Sequence, residues 1–220
     1  MGQVTTRRQV RTRPGGDQTR EKILDVAESL FAAGGFDGVS MRQVGNAADV
    51  PFALVTYHFE SKLGLYKAVF ARRSEAITAA RIETLRQIEL GPDTRANYQA
   101  IARAFVGALM RIRQTEWGPT FARLLAREFN DPLEGQRGII ETYFDAVAHV
   151  TMDVLRKVAP DASPARISWA YFFAASPSLA LQADTGRLER ISGNLCRMSQ
   201  TDEIIEELTR FVAGGLMSAL

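Results

Sequence analysis

The sequence has one cysteine, Cys196, and two histidines, His58 and His149, in 220 residues. A single thiol cannot close an internal disulfide, and such sparse cysteine use fits a reducing compartment. Cys196 itself reads as a small, partly buried apolar residue. Common enzyme motifs are also missing: there is no GxSxG, no Walker A loop, no GxGxxG after a strand, no HExxH and no Cys/His cluster. Nucleophilic, metal and cofactor chemistry therefore have few candidates. Acidic groups such as Glu128 with Asp131, or Glu203 with Glu206 and Glu207, read as solvated charges rather than catalytic pairs. No apolar run reaches the roughly 20 residues of a membrane span, and residues 1–16 lack the apolar stretch of a signal peptide. A soluble, intracellular protein that is not an enzyme is expected.

Net charge is small, at +2. Its distribution is uneven. Residues 1–16 carry Arg7, Arg8, Arg11 and Arg13 and no acid, which predicts a disordered basic arm that is either a plain floppy terminus or a DNA-contacting segment. In residues 17–60 only Arg20, Lys22 and Arg42 oppose Asp17, Glu21, Asp25, Glu28, Asp37, Asp49 and Glu60. A nucleic-acid function there would have to come from local placement of charge and helix ends, not from a basic domain.

What the chain does have is helical periodicity throughout, which predicts an all-α fold of about nine helices with no strand. Ile23, Val26, Ala27, Leu30 and Phe31 form one helical face, capped by Asp17 or Thr19 and ended by Gly34-Gly35. Ser40 with Gln43 forms a capping box for a short helix, and Asp49-Val50-Pro51 interrupts it before a second short helix to about Tyr57. Ser61 opens a long helix to about Ile88, stopped by Gly91-Pro92. Further helices are expected around Tyr98–Leu109 and Pro119–Phe129, as one long helix over Ile140–Val158, from Pro164 with a kink or split at Pro177, and from Thr201 to the end. Residues 184–200 read as a polar connection with at most one short turn.

Residues 19–70 read as a helix-turn-helix unit, in which the second short helix enters the DNA major groove. The stretch SMRQVGNAADVPFALVTYHFESKLGLYKAVF, residues 40–70, resembles the signature of the TetR family of bacterial regulators. The matching features are the Ser40 cap, Val44, Ala47-Ala48, Val50, Val55, Tyr57-His58-Phe59, Ser61-Lys62 and Leu65-Tyr66. Three positions depart from the usual pattern: Asp49 stands where Gly is common, Pro51 where Ser or Thr is, and Thr56 where Tyr is. The resemblance implies a helix-turn-helix DNA-binding domain over 17–64 and a helical ligand-binding and dimerisation bundle over 65–220. It also implies a homodimer, a double-stranded operator of palindromic type, a small-molecule effector, and a bacterial cytoplasmic, nucleoid-associated setting. Phosphate contacts are expected from Ser40, Arg42, Tyr57, His58 and Lys62, and base contacts from Phe52, Ala53 and Thr56.

In the second domain the dense aromatic and Met residues suggest an apolar pocket lined by a subset of Phe105, Met110, Trp117, Phe121, Tyr143, Phe144, Trp169 and Phe172, with Gln114 and His149 as polar candidates. Aromatics at helical spacing more often build plain core. Ile167, Phe173, Ile204, Leu208, Phe211 and Val212 are the candidate dimer residues, with Gly214-Gly215 permitting close helix approach; the same apolar faces would equally serve as intrachain core. The expected function is a DNA-binding regulator, a repressor released by a small, largely apolar ligand. Two rivals remain: a helical carrier of apolar ligands, and a regulator with a filled core.

Overall fold

The structure is a computed structural model and describes residues 14–220, the side chains of residues 14 and 15 excepted. Residues 1–13 of the expected basic arm lie outside the described residues; residues 14–16 form the first turn of the first helix.

Three helices make the N-terminal unit: α1 (Pro14–Gly34), α2 (Met41–Ala47) and α3 (Phe52–Phe59). α1 starts earlier than its capping residues suggest, so Asp17 sits inside its first turn, where its charge favours the helix dipole. It buries Ile23, Leu24, Ala27 and Phe31, one stripe at helical spacing. The capping box of α2 forms in both directions: the Gln43 amide donates to the Ser40 hydroxyl at 3.2 Å, and the Ser40 amide donates to the Gln43 side chain at 2.7 Å. Ser61 caps α4 (Lys62–Arg86) by accepting from the Gly64 amide at 3.0 Å.

The remaining helices are α5 (Thr94–Arg111), α6 (Gly118–Phe129), α7 (Glu134–Arg137), α8 (Ile139–Tyr143), α9 (Asp145–Val158), α10 (Pro164–Gln182), α11 (Arg187–Ile191) and α12 (Thr201–Ala219). The described residues are thus all-α with no strand, in twelve helices against about nine expected. The excess is three short pieces. The expected long helix over 140–158 breaks at Phe144, whose φ of −125° leaves the helical range as its ring turns into the core beside Phe129. The Tyr143 carbonyl instead accepts from the Thr78 hydroxyl of α4 at 2.8 Å. Conversely, α10 is not split at Pro177. Proline removes one hydrogen bond there, while the turns on either side stay seated on α6, α9 and α12.

One hydrophobic cluster runs from Ile23 through Tyr66 and Phe70 to Val212 and Leu216, so the two halves share a core. α12 lies along α5, where Ile205, Leu208, Val212 and Leu216 pack with Ile101 and Phe105 in that cluster. Among the described residues no helix is long and apolar enough to cross a membrane. Cys196, expected to be partly buried, is exposed.

Candidate nucleic-acid interface

α2 and α3 are held at their angle by a tight turn. Asp49 takes a φ of +50°, in the left-handed region where asparagine and aspartate are tolerated better than most residues. The Val50 amide donates to the Gly45 carbonyl at 3.0 Å, and a Cβ on Gly45 would meet the Val50 carbonyl at 3.2 Å. The aspartate therefore keeps the turn that glycine would supply. Pro51 precedes α3 without any side-chain cap, and its carbonyl accepts from the Leu54 amide at 2.9 Å.

α3 buries Val55 and Phe59 and turns the rest outward. Phe52 is 44% exposed and Tyr57 76%, with Ala53 and Leu54 also outside, Thr56 and His58 at the margin. Sequence reasoning missed Leu54, although it lies three residues before Tyr57 and hence on the same side of the helix. No lysine, arginine, asparagine or glutamine occurs in α3. The Thr56 hydroxyl donates to the Phe52 carbonyl at 3.2 Å, so its oxygen faces a ligand chiefly as an acceptor. The exposed face of this helix is thus apolar but for two hydroxyls and the half-exposed His58 ring, a surface suited to thymine methyl groups. The Arg42 guanidinium lies over the Phe52 ring at 5.3 Å, which brings a cation from α2 to the start of α3. Tyr57 and His58 meet edge to face at 5.3 Å, leaving the phenol free at the helix end.

Lys62 departs from its expected place. Its ammonium stands over the Phe36 ring at 4.5 Å and donates to the Asp37 carbonyl at 3.4 Å, tying α4 to the loop after α1 rather than pointing outward. A second position that pattern reading passed over is Gly64, where a Cβ would lie 2.3 Å from the Phe59 carbonyl oxygen. Only glycine allows α4 to start so close to the end of α3. Arg20 was also missed; its guanidinium lies 5.3 Å from the Phe59 ring, beneath α3.

Three of the seven acids in residues 17–60 are answered from α4. Arg72 pairs with Asp25 at 2.7 Å, with Glu21 at 3.4 Å and with the buried Glu28, which also accepts from Arg73 at 3.3 Å. Three acids of α1 are therefore compensated away from α3. Behind them, the Tyr66 hydroxyl of α4 donates to Glu128 at 2.8 Å and Arg137 donates to the same carboxylate at 3.0 Å, all three buried. Burial and the Glu128 charge push the Tyr66 phenol far above its ordinary range. Arg127 of α6 donates to the Ala32 and Ala33 carbonyls at 2.8 and 2.9 Å, closing the C-terminal end of α1. α4 is thus joined by ion pairs to α1 on one side and by the Tyr66 hydrogen bond to Glu128 of α6 on the other, where Arg137 of α7 pairs with the same carboxylate.

The residues expected around an internal pocket do not converge. Phe105 and Phe144 line a small cavity between α4, α5, α6, α9 and α10. Trp117 and Phe121 pack instead at the junction with α4, under Arg73 and beside Phe70. Met110 is buried against the Gln182 side chain, and the Tyr143 hydroxyl donates to the Lys67 carbonyl at 3.4 Å. Trp169 and Phe172 are overturned as pocket residues: they are 60% and 61% exposed on the outer side of α10, because the inner side is taken by Ile167, Ala170 and Ser178. Gln114 and His149 are exposed as well.

Of the candidate dimer residues, Phe173 and Phe211 are 62% and 70% exposed. Ile204 and Leu208 line an open apolar groove next to Phe211. Ile167 and Val212 are corrections, being buried within their own chain where α10 and α12 meet the core.

Residues 23–69 match the family described as bacterial regulatory proteins of the tetR family, and residues 103–215 match the tetracyclin repressor-like C-terminal domain. The chain is 30% identical over 146 residues to the HTH-type transcriptional repressor KstR of Rhodococcus jostii, covering 58% of this chain and 68% of that protein. It is 43% identical over 47 residues to the probable HTH-type transcriptional regulator YttP of Bacillus subtilis, a match covering 21% of this chain and only 23% of that protein. NalD, the secondary repressor of the MexAB-OprM multidrug efflux pump in Pseudomonas aeruginosa, has a similar fold: TM-score 0.62 at 20% identity, covering 92% of this chain and 98% of NalD.

Proposed function

The chain belongs to the TetR family of bacterial regulatory proteins, and on that premise we propose that it is a homodimeric repressor that grips a two-fold symmetric operator in the cytoplasm and is released by a small, largely apolar ligand. Membership makes it a DNA-binding transcriptional regulator and not an enzyme. The repressor reading is carried over from KstR and NalD, both of which are named as repressors.

The observation that carries the dimer is that α10 and α12, which pack side by side, leave Trp169, Phe172, Phe173 and Phe211 exposed. Several exposed aromatic rings on neighbouring helices are unusual on a free surface and common at the centre of an interface. Gly214 and Gly215 have nothing within 4 Å of where a Cβ would stand, so a second helix can come close. In the dimer two copies of α3 enter successive major grooves about one DNA turn apart, or a multiple of it. Tyr57, His58, Ser40 and Arg42 hold phosphates, while Phe52, Ala53 and Thr56 meet base edges.

The test is sedimentation of the purified chain together with gel shifts on its own upstream DNA. A dimer that shifts DNA with a steep salt dependence is expected. Phe173→Glu with Phe211→Glu should yield a folded monomer that no longer shifts the DNA. A wild-type monomer, or a shift that survives loss of the dimer, defeats the reading. A chain that never shifts DNA but still takes up apolar ligands is a carrier.

A further inference from the structure

Arg81 sits on the inner side of α4 between Ile77 and Leu85, one turn away on either hand, and is 7% exposed. Every other buried or half-buried arginine among the described residues has a carboxylate partner: Arg20 with Glu21, Arg72 and Arg73 with Glu28, Arg113 with Asp184, Arg137 with Glu128. Arg81 forms no ion pair and no hydrogen bond with any described residue, and its Nε is buried without a partner. Its contact is with a ring, the guanidinium standing over Phe105 at 5.2 Å. Burial pulls its pKa below the ordinary arginine range, the sign of a charge without compensation. An unpaired buried charge is among the largest single penalties a fold can carry.

The guanidinium forms part of the wall of a cavity otherwise built from Phe105, Leu125, Phe129, Phe144, Tyr171 and Leu179 among others. The Tyr171 hydroxyl is a second donor on that wall and makes no hydrogen bond to a described residue. Beyond Phe105 and Tyr171, which meet edge to face at 5.9 Å, lies a second void lined by Ile101, Leu155, Val212 and Leu216.

We propose that the effector is an amphiphilic carboxylate whose head pairs with Arg81 and Tyr171 and whose apolar body runs past Phe105 towards α12. This rests on the ligand-released repressor reading above. A carboxylate presents two oxygens in the plane of a guanidinium, which is the best match for its paired donors. A dianionic phosphate would leave surplus charge in a dry, apolar chamber with one cation. The open space is about 30 Å³ around Arg81 and about 10 Å³ beyond the rings, far below a filled ligand site, so the body enters only if the rings turn and α4 parts from α10. Arg81 lies on the same helix as Tyr66 and Arg72, so movement of α4 here is felt by α1 and α3. The ligand shifts the protein only through its greater affinity for the parted state.

The test uses the full chain with decanoate, decanol and decyl phosphate, read by calorimetric titration, melting temperature and gel shift. Decanoate should bind wild type about tenfold or more tightly than it binds Arg81→Met, as expected for loss of a charge-assisted pair, and should weaken the DNA shift. Decanol should bind the two proteins within about twofold of each other. Should Arg81→Met not fold, Arg81→Lys keeps the charge but loses the planar fork, and its decanoate affinity should fall while that for decanol holds. The proposal is overturned if decanoate binds wild type and variant alike, if decyl phosphate is preferred, or if decanoate fails to bind below its micelle concentration. Each of these leaves the repressor reading standing. Loss of that reading would show separately, as no DNA shift by the ligand-free wild-type chain.

Discussion

Glu128 should be the most costly single carboxylate to remove from this protein. It accepts from the Tyr66 hydroxyl at 2.8 Å and from Arg137 at 3.0 Å, and all three side chains are buried. Glu128→Ala leaves a phenol with no acceptor and a guanidinium whose other carboxylate is Asp131 at 2.7 Å, at the cavity the glutamate vacates. Breaking one side of a buried pair costs about 3–5 kcal/mol. For a chain of this length each kcal/mol moves the melting temperature by roughly 2–4 °C, so a fall of roughly 10 °C is expected. Tyr66→Phe removes only the hydroxyl and leaves Glu128 paired with Arg137, so its cost should stay near 1–2 kcal/mol. The measurement is a thermal melt of wild type and both variants at equal protomer concentration, since a dimer's midpoint depends on concentration. If Glu128→Ala melts within a degree or two of Tyr66→Phe, the carboxylate is not the hub of a buried network and the reasoning is wrong.

Other consequences are equally open to measurement. Because the exposed face of α3 is apolar apart from two hydroxyls and His58 at its end, replacing operator thymines by uracil should weaken binding about two- to fivefold per contacted methyl; an unaffected gel shift would assign base reading elsewhere. Gly64→Ala forces a Cβ to 2.3 Å from the Phe59 carbonyl oxygen, so the start of α4 must move; a loss of about 1–3 kcal/mol and a weakened DNA shift are expected from melts and titrations. The Asp131 carboxyl is held below its usual range, first by the Leu133 amide and then by Arg137. A depressed acid stabilises the fold above its unfolded pKa and loses that contribution as pH falls through the folded value. Melting temperature against pH should therefore drop more steeply below about pH 4 for wild type than for Asp131→Asn, and parallel curves would refute the link.

Local signals in the sequence determined the all-α class, the capping box at Ser40 and Gln43, the cap at Ser61, the proline start of α10 and the helix-turn-helix with its exposed Tyr57. Each depends on residues within a few positions of one another, so no tertiary information is needed. Twelve helices rather than nine reflect contacts that are not local: Phe144 leaves the helical range beside Phe129, and Thr78 takes the neighbouring carbonyl. The side a residue faces also depends on partners far away in the chain. Trp169, Phe172 and Val212 carry the same apolar character, yet two face outward and one inward because α5 covers only one side of α12, and α10 has its own inner row. The net acidity of residues 17–60 is a fact of composition, but that Glu21, Asp25 and Glu28 are paired is decided by α4, which brings Arg72 and Arg73 across to them. Arg81 could have been noticed as a charge set between Ile77 and Leu85, but that no acid meets it is a property of five helices packed together. Composition and spacing thus decide which helices form, while packing decides which charges are paired, which rings are hidden and which remain for a partner.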